Sequence, residues 1–65
     1  MVMCTAEKRV LLTIALRTAR PILHRRGGDG WFYFEMGEKL GSLGYTAKQI
    51  MWALDYLFEN DYLEE

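Results

Sequence analysis

Few residues in this 65-residue chain have types suited to covalent or acid–base chemistry: His24, Cys4 and the pair Glu35 and Glu38. His24 is the sole histidine and stands beside Arg25 and Arg26. General acid–base work needs a partner held within hydrogen-bond reach, and the sequence sets none beside it, so a solvated side chain is the favoured reading. Cys4 precedes a helix start, a position that lowers a thiol pKa, again with no base alongside. Glu35 and Glu38 have the i, i+3 spacing of paired carboxylates, but a solvated first helical turn favoured by the helix dipole is the favoured reading. "RRGGDG" is rich in glycine yet lacks the Lys-Ser/Thr of a phosphate loop, and reads as a turn. The expectation is a chain with no catalytic residue, metal site, cofactor or small-molecule substrate, and not an enzyme.

Binding is the better-supported class. Net charge is −1, but residues 1–30 carry six basic side chains against two acidic ones, and residues 31–65 carry two against seven. Arg9, Arg17 and Arg20, with Thr13, recur at steps of three and four along one side of a predicted helix. Together with Arg25 and Arg26 they suit phosphates or the carboxylates of a protein partner, unless they form an ordinary solvated face. Half of the residues are hydrophobic, more apolar surface than one small domain easily buries, which points to a dimer or another partner.

A single domain, 1–65, is the ceiling at this length. The lone cysteine suggests a reducing, intracellular (cytoplasmic) setting. The apolar run 10–16 is interrupted by Thr13 and followed by arginines, too short to span a membrane, and the N-terminus lacks a signal layout.

Thr5 is the predicted N-cap of a first helix over 5–20, with Glu7 in its first turn. Pro21 ends or kinks it. Residues 27–30 form a turn. "WFYF" is rich in strand formers and predicts a strand over 31–34. A short second helix over 35–41 turns Met36 and Leu40 inward and stops at Gly41. Thr46 and Gln49 match a capping box that opens a third helix over 46–59, with Ile50, Ala53, Leu54, Leu57 and Phe58 as its core stripe. Asn60 stops that helix by a left-handed conformation, and residues 62–65 pair with 31–34. The predicted core gathers Leu12, Leu16, Leu40, Ile50, Leu54 and Leu57. On the outer face of the third helix lie Lys48, Trp52, Asp55 and Glu59, with Gln49 and Tyr56 at its edge.

The stretch "FEMGEKLGSLGYTAKQIMWALDYLFENDYLEE" resembles a winged-helix domain. "EKLGSLGYTAKQI" is similar to the second helix, turn and start of the recognition helix, and "ALDYLFENDYLEE" to a third helix running into the first wing strand. The resemblance covers about half the chain closely. It implies a mainly α, winged-helix-like three-helix domain with a rudimentary two-stranded sheet, a plain three-helix bundle being the alternative. It also implies that the amino-terminal part of the third helix enters a DNA groove through Tyr45, Thr46, Lys48, Gln49 and Trp52. Two features depart from the family: the turn is longer than its shortest forms, and the chain stops at Glu65 before a wing tip.

Two functions follow. One is a DNA-binding, transcription-regulator-like protein that contacts duplex DNA through Tyr45, Thr46, Lys48 and Gln49, helped by Arg25 and Arg26. The other is a protein-interaction module, whether homodimer, adaptor or small inhibitor. There Trp52 and Tyr56 anchor the contact, and Asp55 and Glu59 meet arginines such as Arg9, Arg17 and Arg20 of a second copy.

Overall fold

The computed structural model describes residues 3–26 and 30–63, and for 24–26 and 30 the backbone alone. Three helices follow one another: α1 Thr5–Arg26, α2 Gly30–Gly41 and α3 Ala47–Glu59. Each packs against the other two. No strand occurs among the described residues.

The domain measures 32 × 24 × 16 Å along its principal axes, and α1 is its longest helix. Its N-cap is Cys4, not Thr5: the Cys4 carbonyl accepts from Lys8 N–H (3.0 Å), and the Cys4 N–H donates to Glu7 Oε1 (3.3 Å). Glu7 thus reaches back from the third helical position, the acidic half of a capping box. α1 does not stop at Arg20 either. Pro21 lies exposed within it, and Ile22, one residue on, is fully buried. Proline removes one ladder bond; here the burial of Ile22 on the core holds the helix past it.

The inward line of α1 is Leu11, Ala15, Ala19 and Ile22, all buried. Leu12 and Leu16 are only half-buried and flank the core, contrary to expectation. α1 is apolar around a broad arc, so its sequence admits either face. The small Ala15 and Ala19 settle the choice by letting the other helices approach closely.

The largest correction concerns residues 31–34. They form the first turns of α2, not a strand. Phe32, Met36 and Leu40, at steps of four, are fully buried. The Phe32 ring meets Phe58 of α3 edge to face at 5.9 Å. Aromatic residues give up only a few tenths of a kcal/mol of helix propensity, up to about 0.7, relative to alanine, and burying one phenyl ring outweighs that. The predicted pairing of 31–34 with 62–65 is therefore absent: residues 62 and 63 lie in a turn, and 64 and 65 are outside the described residues. So are 27–29 of the predicted glycine turn, while Gly30 already belongs to α2.

α2 and α3 end at Gly41 and Glu59, as expected, but the left-handed residue that closes each lies beyond the one expected. After α2 it is Gly44 (φ 99°) rather than Gly41, with Gly44 N–H donating to the Gly41 carbonyl and Tyr45 N–H to that of Leu40. After α3 it is Asp61 (φ 61°) rather than Asn60, with Asp61 N–H donating to Phe58 and Tyr62 N–H to Leu57. Both are the paired bonds of a Schellman ending. The second folds the chain back so that Leu63 is buried.

α3 begins as its sequence predicts. Thr46 Oγ1 accepts from Gln49 N–H (3.2 Å), and Gln49 Oε1 accepts from Thr46 N–H (2.9 Å). Ile50, Ala53, Leu54 and Leu57 are buried, and Phe58 packs beside them half-buried.

Candidate interaction surface of α1 and α3

The structure separates the predicted site residues into three groups. Tyr45 is half-buried against the core, because it follows the left-handed Gly44 that ends α2. Thr46 and Gln49 spend their side-chain acceptors on one another's backbone. Lys48 is exposed on the first turn of α3. These four sit together at the start of α3. The side chains of Arg25 and Arg26, predicted to join them on DNA, lie outside the described residues.

A second group gathers where α1 crosses α3. Trp52 is not simply exposed: it is half-buried against the core, and the Lys8 ammonium lies 5.7 Å from its ring centroid. A cation over an indole at an exposed site contributes about 0.5–1 kcal/mol. Tyr56, one turn on, holds its ring 5.8 Å from that of Trp52. Beside them an open groove of about 300 Å³ runs between the helices. Arg9, Leu12 and Leu16 line its α1 side, Tyr56 and Leu57 its α3 side, and Tyr62 one end. Asp55 and Glu59 are exposed on the outward face of α3 next to Tyr56, and Asp61 is exposed just beyond. Arg17 and Arg20 are exposed further along α1, as the stripe with Arg9 and Thr13 predicts. Thr13 Oγ1 donates to the Arg9 carbonyl (2.8 Å). The surface therefore has an apolar, aromatic floor, a basic edge on α1 and an acidic edge on α3.

Lys8, Leu12, Leu16 and Tyr62 take part in this surface without having been read as site residues. Leu12 and Leu16 looked like core from their spacing, and nothing in the sequence separates flank from centre on so broad a face. Tyr62 arrives through the left-handed Asp61, and tertiary packing alone brings it there.

A third group is new. Trp31 (58% exposed) and Phe34 (57%) stand outward on α2, ring to ring at 5.8 Å. A strand reading of 31–34 conceals them. The buried Phe32–Met36–Leu40 spacing is the signal in the sequence that identifies a helix and so places these two on its other side.

Hydrogen bonds from the Cys4 side chain, first, and its backbone hold the exposed Glu7 carboxyl below the usual carboxylate range. Among the described residues no three His, Cys, Asp or Glu side chains gather as a metal site would require, and no helix is long and apolar enough to cross a membrane. The geometry offers shaped, charged and aromatic contact. Comparison with protein-family models, curated proteins and solved structures returned no match.

Proposed function

We propose that this chain is a protein-interaction module that docks a partner segment along the α1/α3 groove and the outward face of α3. The observation that carries this reading is the make-up of that face. Tyr56 and Tyr62 flank a groove floored by leucines, Asp55 and Glu59 are exposed on α3 and Asp61 just after it, and Lys48 is the lone cation of α3. Aromatic side chains in partly apolar clefts are the usual anchors of interfaces, and rim charges select and steer the partner. The chemistry suits a segment that places an aliphatic or aromatic side chain in the groove, cations toward Asp55 and Glu59, and a carboxylate toward Arg9.

A second reading keeps the winged-helix-like relation, with α2, the 42–46 turn and α3 as a helix-turn-helix on duplex DNA. The left-handed Gly44 between two short helices and the exposed Lys48 at the start of α3 favour it. Against it stand the engaged acceptors of Thr46 and Gln49 and the carboxylates of Asp55 and Glu59, which repel a polyanion.

Asp55→Lys separates the two. On the interaction reading, titration of a cationic amphipathic peptide into the variant gives several-fold weaker binding than wild type, the difference shrinking as salt rises. On the DNA reading, the same change tightens binding to a generic duplex at low salt. Tighter duplex binding with unchanged peptide binding would overturn the interaction reading.

A further inference from the structure

α3 carries its negative charge where its own dipole opposes it. Asp55 and Glu59 stand in its second half, Asp61 follows just after it, and its last turn holds no basic residue. The carboxyl end of a helix favours cations and disfavours anions. Asp55 and Glu59 are also i, i+4 neighbours, a spacing at which like charges repel. Apart from the pair itself, every residue three or four positions from either one is apolar or aromatic, so no lysine or arginine of the helix answers them. Arg9 lines the groove from its α1 side, and among the described residues no ion pair joins it or any other cation to Asp55 or Glu59.

Two aromatic rings stand beside these carboxylates. Trp52, Tyr56 and Glu59 follow at i, i+4 and i+7, one line along the helix, and Asp55, three residues on from Trp52, flanks that line. The rings are 5.8 Å apart and tilted by 41°. Trp52 is half-buried and Tyr56 exposed. The chain already brings one cation to this pair, since the Lys8 ammonium of α1 lies 5.7 Å from the Trp52 ring centroid.

We propose that Trp52, Tyr56, Asp55 and Glu59 form a subsite for an arginine side chain of a partner protein. The proposal rests on the α1/α3 surface being a docking site, and it names the residue that anchors the docked segment. A guanidinium is planar and stacks on an aromatic face, here the exposed ring of Tyr56. Its fork of N–H groups donates to carboxylates at the edge of that ring. A lysine ammonium meets the same charge without the stack or the fork. Bound there, arginine brings α3 the cation that its carboxyl end lacks, offsetting both the repulsion between Asp55 and Glu59 and their conflict with the dipole. A local choice that works against its own helix is expected where a surface serves a partner.

The test is calorimetric and NMR titration of the full chain with three peptides of leucine, alanine and glutamine that differ at one position: arginine, lysine or citrulline. Citrulline has nearly the shape of arginine and no charge. Relative to arginine, Kd should rise about threefold with lysine and about tenfold with citrulline. Asp55→Asn with Glu59→Gln should erase the difference between arginine and citrulline, while holding or raising the thermal midpoint of the free chain. Equal binding of the arginine and citrulline peptides, with shifts at Leu12, Leu16 and Tyr62, overturns the subsite and leaves the groove reading standing. Discrimination that survives the double variant overturns the subsite too, as does a double variant that melts below wild type. Arginine-dependent shifts at Trp52 and Tyr56 with none at Leu12, Leu16 or Tyr62 uphold the subsite and overturn the groove reading. No binding by any of the three peptides overturns both.

Discussion

Replacing Phe32 and Phe34 by alanine, one at a time, tests the helical form of residues 31–34. In a strand the two side chains point to the same face, since the period is two, and the substitutions should act alike. In a helix they lie 200° apart. Phe32 is fully buried, in edge-to-face contact with Phe58 at 5.9 Å, whereas Phe34 is 57% exposed. Truncating a buried phenylalanine costs about 3–5 kcal/mol. A 65-residue domain holds only about 3–10 kcal/mol of stability in total. Phe32→Ala should therefore lower the urea midpoint by about 3 M, at roughly 1 kcal/mol per molar for so small a protein, or leave the chain largely unfolded. Phe34→Ala should stay within about 0.5 kcal/mol of wild type. The measurement is urea unfolding followed by far-UV circular dichroism. Similar losses for the two variants, or a larger loss for Phe34→Ala, would refute the helical assignment.

The left-handed endings make opposite demands on Gly44 and Asp61. Gly44→Ala should destabilise by about 1–2 kcal/mol, while Asp61→Gly should stabilise by up to about 1 kcal/mol, both read from thermal unfolding. At the start of α3, Thr46→Ala removes the acceptor for Gln49 N–H and should cost about 1 kcal/mol by the same measurement. Because the folded chain depresses the Glu7 pKa through Cys4, the associated stabilisation of the α1 N-terminus is present above the unfolded carboxylate pKa. It fades as pH falls through the lowered folded value. A carboxyl-detected NMR titration should place the Glu7 midpoint below the usual glutamate range, and Cys4→Ala should move it up.

α3 was legible from local signals alone. Its capping box, its core stripe and its exposed Lys48, Asp55 and Glu59 follow from spacing, and each is found where the period puts it. The second helix was legible only in part. "WFYF" has strong strand preference taken alone; what overrides it is the alignment of Phe32 with Met36 and Leu40, a longer-range regularity than four residues display. Pro21 misleads for a related reason, since its local effect is real but the burial of Ile22 one residue later carries the helix on. The basic stripe was read correctly as exposed. The partners of its neighbours were not, because the placement of Lys8 over Trp52 and of Arg9 beside Tyr56 is set by how α1 crosses α3. The ends of α2 and α3, at Gly41 and Glu59, fall where the sequence puts them, but the left-handed residue that closes each lies further on, at Gly44 and Asp61 rather than Gly41 and Asn60, because the backbone beyond the helix sets it.

The central claim, that the α1/α3 surface binds a protein segment, is tested most directly by two-dimensional NMR of the labelled full chain. It is titrated in parallel with a cationic amphipathic peptide and with a short DNA duplex at low salt. Peptide-induced shifts should concentrate on the Trp52 indole and on Arg9, Leu12, Leu16, Tyr56 and Tyr62, with Asp55 and Glu59 at the edge, and the duplex should leave those resonances in place. Shifts produced by the duplex alone and centred on Lys48, Thr46 and Gln49 would contradict the claim and return α3 to the DNA groove.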